Sequence, residues 1–252
     1  MHQGRDIIFR DRAIIKLDSV DSTNNYAATL LRQSKPPEGT AIIALEQTHG
    51  RGQRGNLWES EVGANLLCSI ILYPDFLNGE NYFYLSKCAS LALADVVNEI
   101  TGLEVRVKWP NDIVANGKKL GGVLIESSWS ENRLLCSIVG VGLNLNQQEF
   151  SISYASSLRS LTKKFFEPES VFEKFLKNFS MGYSDLKSGK FAEMDLNYRR
   201  ALYRLGVTSR FIYEGKQILG MITGVDVSGH LCVYTELGQS LKCELKEIGM
   251  VW

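Results

Sequence analysis

The 252-residue chain balances 28 Lys+Arg against 28 Asp+Glu and is 44% hydrophobic, which is ample for one large domain, or one large and one small, but offers no bulk field for nucleic acid. Cys68, Cys88, Cys136, Cys232 and Cys243 are odd in number and never spaced Cys-x-x-Cys, His2, His49 and His230 are scattered, and the longest apolar runs are strand-sized. A disulfide framework, a zinc site, a secretory leader and a membrane span are therefore not expected, and the chain reads as cytoplasmic with reduced core cysteines.

Ser22 or Thr23 stands where a helix near 23–33 needs its cap, followed by apolar residues at helical spacing. A strand pattern near 40–46 leads into Gly50-Arg-Gly-Gln-Arg-Gly-Asn-Leu-Trp58, and a second covers 65–73. In the loop between them three glycines free the backbone while Arg51 and Arg54 supply permanent charge, the equipment for a polyphosphate or a carboxylate. Such a loop can stay disordered until its ligand arrives. Gly50, Gly52 and Gly55 match the spacing of a dinucleotide fingerprint, and Asp75 falls 20 residues after Gly55. The fingerprint is rejected because it requires a helix where 65–73 reads as strand; no Walker-type phosphate loop occurs.

A helix pattern near 81–100 precedes strand patterns near 104–109, 112–115, 119–128 and 134–146. Asn116-Gly117 is the signal for a two-residue hairpin turn. In the simplest register Ala115 faces Lys118, Val114 faces Lys119 and Asp112 faces Gly121, so Asp112 and Lys119 share one face, roughly 7 Å apart along it. Gly121 then leaves room for a ligand to approach the backbone. The pair reads as a carboxylate able to hold Mg²⁺ beside a lysine able to hold a phosphate, or as a diagonal surface ion pair. Gly140 and Gly142, two apart on a strand, bare one face for a flat apolar ring with Asn144 on the same side, or mark a bulge or tight packing.

Charge-rich helix patterns near 169–187 and 190–204 follow, with Phe172, Phe175, Leu176 and Phe179 spaced as one apolar face to pack on the sheet. From Val207 to Trp252 the texture changes to short strands between glycine turns, a small β domain of roughly 45 residues. The expected fold is α+β: a mixed, largely antiparallel sheet with flanking helices over residues 1–204, then a β domain over 205–252.

Four segments, taken in order, resemble the biotin protein ligases: Asp21-Ser-Thr-Asn24, Gly50 to Trp58, Lys108 to Glu126, and Gly140-Val-Gly-Leu-Asn144. The resemblance runs from about residue 15 to the C-terminus, although the helical region after residue 150 carries little that is diagnostic. It implies a class II aminoacyl-tRNA synthetase-like catalytic domain closed by an SH3-like barrel. It also implies activation of biotin by MgATP to biotinyl-5′-adenylate, then transfer to a lysine of a biotin carboxyl carrier domain. Biotin contacts are implied for Ser22, Thr23, Asn24, Gln47, Gly50, Arg51, Lys119, Gly121, Gly122, Gly140 and Gly142. ATP contacts are implied for Arg51, Arg54, Trp58, Lys108, Asn111, Asp112 and Asn144, with Arg51 and Lys119 as the catalytic charges and Asp112 positioning Mg²⁺ or the ATP. Lys108 reads equally as an exposed strand lysine, and Trp58 and Trp109 equally as core.

One departure is Gln53, where many family members carry a second loop arginine; Arg54 is the candidate to take over that charge. Only 20 residues precede Asp21, too few for a three-helix DNA-binding unit, so DNA binding is not expected. A homodimer is compatible with the family. Two other readings stay open: a lipoate or octanoate protein ligase, against which the polar groups of Ser22, Thr23 and Gln47 speak, and a non-catalytic binding module.

Overall fold

The structure, a computed structural model, describes Phe9 and residues 12–251. His2 and Trp252 lie outside the described residues. Seven strands form one sheet: β1 (Ile14–Val20), β2 (Ala41–Gln47), β3 (Leu66–Leu72), β4 (Val105–Lys108), β5 (Asp112–Ala115), β6 (Lys118–Ser130) and β7 (Arg133–Leu143), in the order β1-β2-β3-β7-β6-β5-β4. The β1–β2 pair is parallel and every other neighbouring pair antiparallel. The helices are α1 (Thr23–Gln33), α2 (Phe83–Thr101), α3 (Leu158–Thr162), α4 (Pro168–Lys187) and α5 (Phe191–Ala201). A second, five-stranded antiparallel sheet follows, from β8 (Thr208–Tyr213) through β9 (Lys216–Val225), β10 (Leu231–Thr235) and β11 (Ser240–Cys243) to β12 (Ile248–Met250).

Strand alternation divides the two faces of the large sheet. Leu66, Cys68, Ile70 and Leu72 of β3 join the main core with α2 and α4, where Phe172, Phe175, Leu176 and Phe179 are all buried, as their spacing predicts. Ile71 turns the other way and packs with Ile42, Ile138 and Ala27 of α1. The helix α1 lies over β2, β3 and the adjacent part of β7, which leaves the face of β5 and β6 and the Gly142 end of β7 for a site. Among the described residues, no helix is long and apolar enough to cross a membrane.

The hairpin forms as predicted, with Asn116 at φ 50° and Gly117 at φ 71°, the left-handed pair that this turn requires. Its register departs from the simple one. Ala115 faces Lys118 and Val114 faces Lys119, but a bulge at Leu120 then makes Ile113 face Gly121 and Asp112 face Gly122. The bulge thus exchanges the roles of the paired glycines, and Gly122 is the one opposite Asp112. Three smaller differences concern elements: β1 and α3 were not expected, and α5 ends at Ala201 rather than near 204. The β1 strand sits at the sheet edge with mostly exposed or half-exposed positions, so it lacks the apolar alternation that marks a covered strand.

Candidate active site

Two rungs of the sheet build the floor of the site. Lys108 pairs with Asp112, Asp112 with Gly122, and Gly122 with Gly142, giving one row across β4, β5, β6 and β7. Two residues along, Leu124 pairs with Gly140 and Gly140 with Ser69. The rows border a cavity of about 340 Å³ lined by Ser22, Thr23, Asn24, Gln47, Arg51, Trp58, Lys108, Asn111, Asp112, Lys119, Gly122, Gly140 and Gly142, all expected from the sequence. That volume is in the range of small-molecule sites.

The charged end is compact. Lys119 reaches back over the bulge to place Nζ 2.6 Å from Asp112 Oδ1, both side chains being largely covered. Lys108 is buried rather than exposed. Burial holds its pKa below the usual lysine value, the Lys119 charge pushes the same way, and Asp112 opposes. The Lys119 ammonium lies 6.0 Å from the centre of the Trp58 ring. Asn111 donates its Nδ2 to the Val123 carbonyl, tying the loop before β5 to β6.

The opposite end is neutral and polar. Ser22 occupies the N-cap position of α1, but its hydroxyl makes no capping bond, and the residue faces the cavity. Thr23 donates its N–H to Gln47 Oε1 at 2.8 Å, and its hydroxyl lies 3.0 Å from the same oxygen, which leaves the Gln47 Nε2 donor for another acceptor. The Ser69 hydroxyl lies 2.6 Å from Asn24 Oδ1 and 2.7 Å from Thr23 Oγ1. Between the two ends the loop 50–58 folds back as a small hairpin: Trp58 N donates to the Gly50 carbonyl at 2.8 Å and Gly52 N to the Asn56 carbonyl at 2.7 Å.

Several expected residues occupy different places. Gly121 lies off the cavity wall, where a Cβ would press on Leu143 and the Gly142 carbonyl. Gly50 also lies off the wall; a Cβ there would come within 2.5 Å of the Trp58 carbonyl, so its bareness lets the loop close. Asn144 is buried beyond β7, donating to the Ser156 carbonyl at 3.0 Å, and is not part of the lining. The space over Gly140 is filled by the Asn24 amide and that over Gly142 by the Trp58 indole, so these glycines seat two side chains of the protein itself. The side chain of Arg54 lies outside the described residues. Trp109 serves both purposes: it lines the cavity and donates Nε1 to the Gly229 carbonyl at 2.9 Å.

The second sheet's contribution to the cavity has no local signal in the sequence. Ile222, Leu231, Ile248, Gly249 and Met250 close one side of the cavity although they lie about a hundred residues beyond the last glycine strand. Ser69, hidden in the apolar run of β3, was missed for the same reason: nothing local marks it. Among the described residues no group of three or more His, Cys, Asp or Glu is arranged to hold a metal.

Residues 17–144 match the model of the "Biotin/lipoate A/B protein ligase family". The chain is 30% identical over 240 residues to the "Bifunctional ligase/repressor BirA" of Bacillus subtilis, covering 93% of this chain and 71% of that protein. It is also 30% identical to the "Biotin--[acetyl-CoA-carboxylase] ligase" of Paracoccus denitrificans, covering 89% of this chain and 95% of the relative. The solved "Biotin protein ligase from Aquifex aeolicus in complex with biotin and ATP" superposes with a TM-score of 0.79 at 30% identity, over 95% of this chain and 98% of that one. With half of its length matched by the family model and relatives of this kind along most of its length, the chain belongs to the biotin/lipoate A/B protein ligase family.

Proposed function

We propose that the protein is an ATP-dependent biotin protein ligase that makes biotinyl-5′-adenylate and passes biotin to a lysine of a biotin carboxyl carrier domain. One observation carries the reading: a single cavity joins a neutral polar end (Ser22, Thr23, Gln47) to a cationic end (Lys108, Lys119), with Arg51 of the glycine loop between them. Biotin has the matching polarity, with a ureido ring that needs donors and acceptors at one end and a carboxylate at the other.

In the first step a biotin carboxylate oxygen bonds to the α-phosphorus of ATP while the bond to the bridging oxygen breaks, and pyrophosphate leaves. Two anions must meet, so fixed positive charge lowers the barrier. Lys119 and Arg51 are assigned that work, and the buried Lys108 adds to the local field. Asp112 is a single carboxylate, which fits Mg²⁺ only as one ligand beside substrate phosphates and waters, the usual way this ion is held; when bound, the ion neutralises phosphate charge. Asp112 also restrains the Lys119 ammonium. Trp58 is assigned the wall between the biotin and adenylate halves, and Asn111 the loop that carries Asp112. In the second step the carrier lysine amine attacks the acyl carbon, AMP departs, and the amine proton is lost; no side chain of the ligase is modified.

We further read residues 1–204 as the catalytic domain with a class II aminoacyl-tRNA synthetase-like sheet, and residues 205–252 as an SH3-like β domain. The antiparallel strands of the first sheet, and a second sheet contained within Thr208–Met250, support this division. The lipoate or octanoate alternative is disfavoured by the polar ring end, which an alkyl chain would leave unpaired. Incubation with MgATP, biotin and a purified carrier domain tests the proposal: intact-mass analysis should find one biotin on one carrier lysine, and a carrier with that lysine replaced by arginine should stay unmodified.

A further inference from the structure

Glu126, the last residue of the Lys108–Glu126 segment, has no part in the reading above. It follows Gly122 and Leu124 on β6 at the strand period, so it extends the cavity floor toward α1. Its carboxylate accepts Arg51 Nη2 at Oε1 (2.6 Å) and Arg51 Nη1 at Oε2 (3.2 Å). The same Oε2 accepts Asn24 Nδ2 at 2.8 Å, and Asn25 Oδ1 accepts Arg51 Nη1 at 2.8 Å.

An isolated pair as exposed as this one holds little, since water competes for both partners. Here the fork is bidentate and the acceptor is shared with Asn24, whose amide is itself oriented by Ser69 and seated over Gly140. With the Thr23 N–H on Gln47, the Thr23 hydroxyl on Ser69 Oγ and the Ser69 hydroxyl on Asn24 Oδ1, a continuous chain of hydrogen bonds runs from Gln47 through Thr23, Ser69, Asn24 and Glu126 to Arg51. It links the groups at the neutral end of the cavity to the glycine loop that brings the charge. Arg51 keeps its Nε–H and its second Nη2–H for a ligand.

We infer that Glu126 is a positioning residue: by holding Arg51 of the glycine loop and Asn24 of α1 on one carboxylate, it sets the loop over the cavity before ligand arrives. Its acceptor role cannot pass to an amide. All three hydrogen bonds it takes come from donors, so Glu126→Gln would turn an NH₂ group against one of them. The proposal relies on the biotin reading only for the choice of ligand.

The test combines two measurements without ATP: biotin binding by calorimetry, and tryptic cleavage after Arg51 or Arg54 in the ligand-free protein. Glu126→Gln should weaken biotin about tenfold and speed cleavage about fivefold, whereas in an Arg51→Ala background the same change should weaken biotin by less than about threefold, because the two residues act through one contact. Glu126→Asp keeps the charge but withdraws it by one methylene; it should shift both readings in the same direction, and it serves in place of Glu126→Gln if that variant does not fold. Unchanged affinity and cleavage in a natively melting variant, or losses that multiply in the double variant, would overturn the inference. Failure of the unsubstituted protein to bind biotin would count against the substrate assignment instead, while the cleavage comparison would still decide the role of Glu126.

Discussion

Lys119 meets Asp112 at 2.6 Å because the bulge at Leu120 brings Gly122, not Gly121, opposite the carboxylate. A Cβ at Gly122 would lie 3.4 Å from Asp112 Oδ1 and 4.0 Å from Lys119 Cε, ordinary contact distances, so the pair sits directly over this glycine. The pairing holds the ammonium at the cavity wall, where its charge matters most as negative charge develops at phosphorus. Lys119→Ala should therefore lower the rate of biotin-dependent pyrophosphate release about 10²–10³-fold while changing biotin affinity less than about fivefold. Comparable losses in both would remove Lys119 from the chemical step.

Gln53 lines the cavity in the loop whose neighbours carry charge. A cation at this position should retain an anionic adenylate, so Gln53→Arg is expected to slow adenylate escape into solvent about tenfold, the worth of one charge-assisted hydrogen bond. The check is the amount of free biotinyl-adenylate released without carrier protein; no change would mean that residue 53 is remote from the phosphate.

Gly142 and Gly249 both line the cavity but tolerate bulk differently. A Cβ on Gly142 would stand 2.5 Å from Trp58 Cε2 and 2.7 Å from Cζ2, whereas Gly249 has no atom within 4 Å of the same position. Gly142→Ala should cost about 1–3 kcal/mol by forcing the indole off its seat, and should alter tryptophan emission. Gly249→Ala should do neither. Urea unfolding followed by fluorescence compares the two, and equal behaviour would show that Trp58 does not rest on Gly142.

Asp226, at the end of β9, takes hydrogen bonds from Lys242 and His230. Burial works against its ionisation, but those bonds outweigh it and hold the carboxyl down to about 2. The native pKa is below the unfolded value of about 3.9, so the stabilisation is full above that value and is lost as pH falls through the native one. Thermal unfolding should show stability dropping between about pH 4 and pH 2, with a shallower drop in Asp226→Asn. Parallel profiles for the two proteins would place the acid sensitivity elsewhere.

The parts of this molecule that were legible in the sequence are those written in local chemistry. Asn116-Gly117 specified the turn, the Phe172 to Phe179 stripe specified a buried helix face, and Asp112 and Lys119 were correctly put on one side of the hairpin. The bulge was not legible, since Leu120 looks like any strand residue and the extra position shows only in the pairing. Gly140 and Gly142 were expected to bare the strand for a ring system; they do bare it, but Asn24 and Trp58 fill the space. Glu126 and Ser69 were invisible because their partners come from α1 and the loop 50–58 rather than from sequence neighbours. The same is true of Ile222, Leu231 and Met250, brought to the cavity only by the docking of the second sheet, with Trp109 and Gly229 in contact across the junction.

Whether this cavity activates biotin is decided by pyrophosphate release measured with MgATP in parallel reactions containing biotin, lipoate, octanoate or no acid. Release should depend on biotin alone, with biotinyl-adenylate visible by mass spectrometry. Release driven by lipoate or octanoate instead would contradict the assignment of the neutral polar end to a ureido ring, and release with none of the acids would contradict the ligase itself.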